Sequence, residues 1–335
     1  MNLRMWARAL RRIPRLDKQQ WNALDLVARW LIAARAAVLV ITLIPCLIAA
    51  LLACRDHAFD GVLALWVTLG LLMAHATNNI LNDLIDHMQG VDKGNYFRAQ
   101  YGVQPLEHGL MSVRASLAYA AVTGGIAAAI GLYLFAIRGN LVLGLMAVGA
   151  FFVLFYTWPL KYIGLGEVAV LAVWGPLMTG GAYFVIAGSW SWQAAWLSLP
   201  YALGATTVLF GKHIDKLADD KGKHIRTLPV LLGERSARYA VLGMMVLQYV
   251  LVLVFVIAGM VSPVLLVVIF AARILPPIWR AYTSPRPAER PDFCPEDVWP
   301  LYYVAAAFLH SRNFGFFFLL GLAGDVVLRA AGVVG

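Results

Sequence analysis

The chain has 335 residues, of which 61% are apolar and only 13% are charged, and its mean hydropathy is +0.74. Soluble domains carry about 25% charged residues, so this composition excludes a soluble globular domain and points to a bilayer. The formal charge of +9 reads as membrane topology and contact with anionic membrane lipids, with no nucleic-acid partner implied.

Residues 1–29 form a basic N-terminal segment in which Arg4, Arg8, Arg11, Arg12, Arg15 and Lys18 are spread among Trp6, Leu10, Ile13, Leu16 and Trp21. A signal peptide would continue into a short apolar core with a small-residue cleavage site, and none follows; the pattern predicts an interfacial amphipathic segment. Residues 30–335 read as one transmembrane domain. A helix needs about 20 residues to cross a ~30 Å hydrocarbon core, and nine blocks qualify. They run from Ala36 to Cys54, Gly61 to Leu81, Val113 to Ile137, Leu141 to Pro159, Glu167 to Gly188, Trp192 to Phe210, Ala237 to Ala258, Val261 to Trp279, and Trp299 to Leu328. Lipid cannot satisfy backbone amides, so the predicted fold is all-α: nine transmembrane helices in one bundle.

Lysine and arginine set the orientation. With the N-terminus inside, the outer turns and the C-terminal tail hold only Arg55, Arg138 and Arg329, while the inner segments hold nearly all the rest. The chain therefore reads as multi-pass with a cytoplasmic N-terminus, and the cytoplasmic membrane is the expected location. Cys46, Cys54 and Cys294 have no close pair, so neither a disulfide framework nor a thiolate metal site is expected.

Outer turns are short, whereas two inner connections, Asp83 to Ser112 and Gly211 to Arg235, are long and polar, and long loops are where function concentrates. The first opens while the second span is still helical. There His75, Asn79, Asn82 and Asp86 are spaced 4, 3 and 4 apart, which places them in one polar stripe running from membrane depth to the inner surface. Asp83 stands three residues before Asp86, so both carboxylates can reach one metal, and Asp92 follows shortly after. In the second connection Asp215 and Asp219 are i,i+4 neighbours on a helix. Carboxylates without histidine or thiolate company suit a hard octahedral cation that takes its remaining oxygens from phosphates, which is Mg2+. Two such clusters on one side of the membrane predict a diphosphate held between them. Polar groups at membrane depth are costly and mark function.

These residues resemble the UbiA superfamily of intramembrane prenyltransferases. The resemblance rests on Asn82-Asp83-Leu84-Ile85-Asp86 after the second span and Asp215-Lys216-Leu217-Ala218-Asp219 after the sixth. The extension Gly90-Val91-Asp92 and the run from Gly222 to Gly233 resemble most the branch that prenylates 1,4-dihydroxy-2-naphthoate on the way to menaquinone. Tyr156 to Glu167 resembles that family's link between helices four and five. The second motif departs from the branch, with Lys212 where a neutral amide is usual and Ile214 where a cation is usual.

The resemblance implies transfer of an isoprenyl group from a prenyl diphosphate donor to an aromatic acceptor, a quinone precursor. It implies Mg2+ on Asp83, Asp86, Asp92, Asp215 and Asp219, of which all but Asp92 are also the expected catalytic carboxylates. Substrate contacts fall to Asn79, Asn82, Tyr156, Lys161, Arg98 and Lys212, the cations holding the leaving diphosphate. Tyr156, Trp158 and Trp174 are aromatic candidates for steadying the allylic cation. Gly175-Pro176 predicts a kink, and Arg273, His310 and Arg312 receive no role. Two other readings stay open: a terpene cyclase of the same superfamily, which would need no acceptor, and a membrane transporter.

Overall fold

The structure is a computed structural model and describes residues 2–94, 102–296 and 298–333. All regular structure among them is helical. We label the N-terminal helix α1 (Leu3–Arg11). The remaining long helices are α2 (Ala36–Arg55), α3 (Gly61–Met88), α4 (Val113–Arg138), α5 (Asn140–Phe155), α6 (Gly166–Ala187), α7 (Trp192–Asp215), α8 (Glu234–Ile257), α9 (Pro263–Thr283) and α10 (Tyr302–Ala330). Eight of these, α2 to α4 and α6 to α10, are long and apolar enough to cross a membrane. The ninth expected block forms α5, which has only 16 residues and rises about 24 Å, less than the hydrocarbon core.

Local chemistry sets the helix ends. Asp60 caps α3 by accepting from the Val62 and Leu63 amides at 2.9 and 3.0 Å, and Ser112 caps α4 through the Ala115 amide at 3.2 Å. Gly139, at φ 79°, makes the tight turn from α4 to α5 that a side chain would strain. As the sequence predicts, α6 is broken at Gly175, whose φ/ψ of −102°/−112° is non-helical, immediately before Pro176. Trp174, just before the break, meets the His75 ring edge-on.

α7 is the central helix, buried along most of its length and packed against α8 and α10. Ile48, Leu52, Leu197, Leu265, Phe314 and Phe318 close the core on the side of the short turns. Leu143, Val148, Phe151 and Leu154 of α5, and Val246, Val250 and Leu253 of α8, are exposed. Apolar stripes of that kind face lipid, because lipid is the solvent in which they cost nothing.

Two features position the site. α3 has 28 residues and is about 42 Å long, so its last turns, carrying Asp83 and Asp86, stand beyond a ~30 Å hydrocarbon layer. α7 meets the start of α10 at Gly211, where an added Cβ would lie 2.8 Å from both the Tyr303 carbonyl oxygen and Val304 Cα. Only glycine permits that approach, and it brings Asp215 to the first turn of α10.

Candidate active site

A cavity of about 1280 Å³ opens on the face that carries the long loops. Asn79 and Asn82 from α3, Tyr156 after α5, Trp174 from α6 and Lys212 from α7 all line it, and Phe308 and Leu309 of α10 contribute to its apolar wall. Trp158 does not line it; that side chain is exposed at the surface.

The polar stripe of α3 is buried and fully engaged. His75 Nδ1 pairs with Thr42 Oγ1 at 2.8 Å and meets the Trp174 ring edge-on at 5.1 Å between centroids. Asn79 donates to the Ala34 carbonyl at 2.9 Å, and Asn82 donates to Thr157 Oγ1 at 3.0 Å. A buried amide whose donor is already satisfied holds its carbonyl oxygen in a fixed direction.

Asp83, Asp86, Asp215 and Asp220 each have a cation or a backbone donor against them. Asp83 accepts from the Arg35 guanidinium, which also reaches Asn82 Oδ1 at 3.4 Å. Asp86 accepts both contacts of Lys161 Nζ, at 2.6 and 2.9 Å, with the two side chains 7% and 4% exposed. Asp92 is buried. Lys223 Nζ donates to the carbonyls on either side of it, Val91 at 2.5 Å and Lys93 at 2.6 Å, and so ties the two long loops together.

The second motif differs from its sequence reading. An i,i+4 pairing of Asp215 with Asp219 needs one continuous helix, but α7 ends at Asp215 and Lys216 is non-helical at φ −111° and ψ 20°, before a new turn at Leu217–Gly222. Asp215 therefore points toward α10, where it accepts from the Tyr303 and Val304 amides at 3.1 and 2.9 Å and from Arg286 at 2.6 Å. A carboxylate at a helix N-terminus is favoured by the free amides and the dipole. On the first-loop side the buried pair is instead Lys216 and Asp220, with Nζ 2.9 Å from Oδ1. Asp219 is half-buried. Arg98 lies outside the described residues.

Among the described residues no three His, Cys, Asp or Glu side chains are gathered as a ready metal cage. Two carboxylate oxygens nevertheless fit a hard cation: Asp219 Oδ2 and Asp220 Oδ2 are buried with no hydrogen-bond donor, which is costly unless something positive meets them.

Several residues of the site were not singled out from sequence. Arg35 sits in the left-handed region at φ 51°, a conformation that costs a non-glycine residue about 1–3 kcal/mol and that clusters at functional sites; it lines the cavity as it holds Asp83. Arg312 of α10 also lines the cavity. The basic N-terminal segment packs on protein: Ala9, Trp21 and Leu24 are buried with Val103 and Leu110, and Arg8, Arg12 and Arg15 line the cavity mouth. Asp25 anchors α1 by accepting from the Asn2 amide at 2.6 Å and the Trp6 indole at 2.9 Å. Among the described lining residues there are many cations and no carboxylate.

A deep, largely apolar cavity with a cationic head end, sunk in a membrane bundle and backed by buried carboxylates, defines a site for an amphiphile with a multiply charged anionic head. Residues 42–301 match the family described as the UbiA prenyltransferase family. The chain belongs to that family, and it is a multi-pass membrane prenyltransferase. It is 25% identical over 237 residues to the 1,4-dihydroxy-2-naphthoate octaprenyltransferase of Bacillus subtilis, covering 70% of this chain and 75% of that one. It is 27% identical over 230 residues to UbiA prenyltransferase domain-containing protein 1 of Danio rerio, covering 66% and 68%. Its fold is similar to that of a UbiA homolog from Aeropyrum pernix, with a TM-score of 0.62 at 16% identity over 87% of this chain and 97% of that one. A UbiA homolog from Archaeoglobus fulgidus bound to GPP and Mg2+ aligns with a TM-score of 0.52 at 16% identity over 85% and 98%.

Proposed function

We propose that the protein transfers an isoprenyl group from a prenyl diphosphate to an aromatic acceptor of the 1,4-dihydroxy-2-naphthoate class, at the cytoplasmic face of the cytoplasmic membrane. The cavity carries this reading: its roughly 1280 Å³ exceeds the 300–1,000 Å³ typical of small-molecule sites, and its charged end and apolar walls match a long hydrocarbon with a diphosphate head. The curated relatives that share the naphthoate name support the acceptor class.

In this reading the diphosphate lies at the mouth, where Lys212, Arg35 and the arginines of the N-terminal segment give charge-assisted hydrogen bonds to its oxygens. Asn79 and Asn82 orient it, and their own locked partners keep them from turning away. Asp83, Asp86, Asp92, Asp219 and Asp220 are the residues to hold Mg2+, and Lys161 positions Asp86. Bound Mg2+ supplies neutralising charge for the departing diphosphate. Tyr156 and Trp174 present aromatic faces to the allylic carbon as positive charge develops there. The surrounding apolar wall keeps water from capturing it.

Diphosphate release from a labelled prenyl diphosphate, with acceptor present, tests the site. Asp83→Ala and Asp86→Ala are expected to lower turnover by at least 10²-fold, as loss of transition-state charge stabilisation does. Turnover within threefold of the parent in both variants would remove the acid cluster from the mechanism.

A further inference from the structure

The run His310-Ser311-Arg312-Asn313 puts polar side chains into the apolar helix α10, and packing accounts for all of them but one. His310 is wholly buried with Nε2 3.0 Å from the Tyr249 hydroxyl, and Asn313 donates to the Leu309 carbonyl of its own helix at 2.8 Å. Ser311 meets α7, where a Cβ added to Gly204 would stand 3.1 Å from its Oγ. Arg312 instead continues the face of α10 made by Val304, Ala305, Phe308 and Leu309, all of which line the cavity. Its side chain is exposed, and among the described residues no hydrogen bond or ion pair reaches its guanidinium. A cation at membrane depth is costly; such groups face a cavity and mark the path of a substrate.

Depth separates Arg312 from the cations that meet the diphosphate. α7 and α10 run antiparallel, with Gly211 against Tyr303 and Val304 and Gly204 against Ser311, so Arg312 lies level with Gly204. From Lys212 to that level is about 12 Å away from the mouth, at about 1.5 Å of rise per residue. Among the described residues no carboxylate lines the cavity, so the charge that meets Arg312 arrives with a ligand. A prenyl diphosphate has one anionic head, held at the mouth, and its hydrocarbon carries no charge. A second anion, deeper by about the length of a fused two-ring aromatic, belongs to the other substrate. Phe308 lines the cavity one turn closer to the mouth and offers that substrate's ring a face. A guanidinium fork suits a carboxylate, which it holds by two parallel hydrogen bonds.

We propose that Arg312 binds the carboxylate of the aromatic acceptor, so that this chain selects an anionic aromatic acid over a neutral phenol or quinol. The inference rests on the prenyl-transfer reading and adds to it the residue that recognises the acceptor's charge.

Equilibrium dialysis of 1-hydroxy-2-naphthoate, and of 1-naphthol, which lacks only the carboxylate, against the full-length protein in lipid nanodiscs tests this, with empty nanodiscs subtracted. The parent is expected to bind the naphthoate at least tenfold more tightly than the naphthol; equal affinities would overturn the proposal without recourse to any variant. Arg312→Gln is expected to abolish the preference while 1-naphthol and inorganic pyrophosphate bind within threefold of the parent, which also shows that the variant is folded. Arg312→Lys keeps the charge without the fork and is expected to retain a preference of at least threefold. A preference that survives in Arg312→Gln would overturn the assignment, and a tenfold loss of pyrophosphate affinity in that variant would do so by returning Arg312 to the diphosphate end. Neither naphthalene turns over in this assay, so the two readings fail separately: prenyl transfer with a preference independent of Arg312 sinks this inference alone, and an Arg312-dependent preference without prenyl transfer sinks the transfer reading.

Discussion

Removing the Lys161 ammonium leaves Asp86 buried against a smaller set of charges, and the cost can be worked from the geometry. Both contacts of the pair are short, 2.6 and 2.9 Å, and both side chains are almost fully buried. Breaking a buried pair by deleting one partner typically costs 3–5 kcal/mol, because a charge is left uncompensated in a poorly solvated place. Lys216 and Lys212 remain close enough to act on Asp86, which places Lys161→Met near the low end, about 3 kcal/mol, or roughly 10²-fold in the folded-to-unfolded ratio. The double variant Lys161→Met with Asp86→Leu removes both charges and is expected to recover most of that loss. Unfolding free energies measured in bicelles by steric trapping give the cycle directly. A single-variant cost below about 1 kcal/mol, the range of exposed pairs, would show that the pair is solvated and that the closed acid cluster described above is wrong.

Gly211→Ala places a methyl group 2.8 Å from the Tyr303 carbonyl oxygen and Val304 Cα; overpacking costs about 1–3 kcal/mol, and faster proteolysis between α9 and α10 is the expected sign that Asp215 has left its cap. Asp25→Ala is expected to free α1 and expose the N-terminal segment to trypsin, whereas Asn22→Ala is not. The backbone amides of Ala28 and Asn2 and the Trp6 indole lower the Asp25 carboxyl from 3.8 to about 2. The contribution of its anchor is therefore complete above pH 3.8 and fades as pH falls through about 2, so α1 should stay protected from pepsin at pH 4 in the parent. Arg8→Gln combined with Arg12→Gln is expected to raise KM for the prenyl diphosphate roughly threefold to tenfold at low salt, with the effect shrinking near 1 M salt as the field is screened. A salt-independent KM in the parent would remove the N-terminal arginines from substrate capture.

The membrane bundle and the stripe from His75 to Asp86 were legible in sequence because both follow from helical period and hydropathy, which are local. The break at Gly175-Pro176 was legible for the same reason. What was not legible depends on where the helix stops: Asp215 and Asp219 share a face only if α7 continues, and it ends at Asp215. One non-helical residue turned Asp215 to α10 and put Lys216 and Asp220 on the first-loop side. The cations that meet the aspartates come from elsewhere in the chain, Arg35 from before α2 and Lys161 from the link after α5, and no periodicity connects them to their partners. The N-terminal arginines have the pattern of a lipid-facing segment, and only the burial of Ala9, Trp21 and Leu24 against Val103 and Leu110 assigns them to the cavity mouth. Arg35 carried a faint signal, a lone cation at the edge of an apolar block, of the kind that membrane depth makes expensive.

Mass spectrometry of products from the purified protein, given Mg2+ and a panel of prenyl diphosphates with and without 1,4-dihydroxy-2-naphthoate, tests prenyl transfer most directly. A prenylated naphthoate that requires acceptor, Mg2+ and intact Asp83 and Asp86 is the expected product. A cyclic hydrocarbon formed equally well without acceptor, or no consumption of any diphosphate, would contradict it.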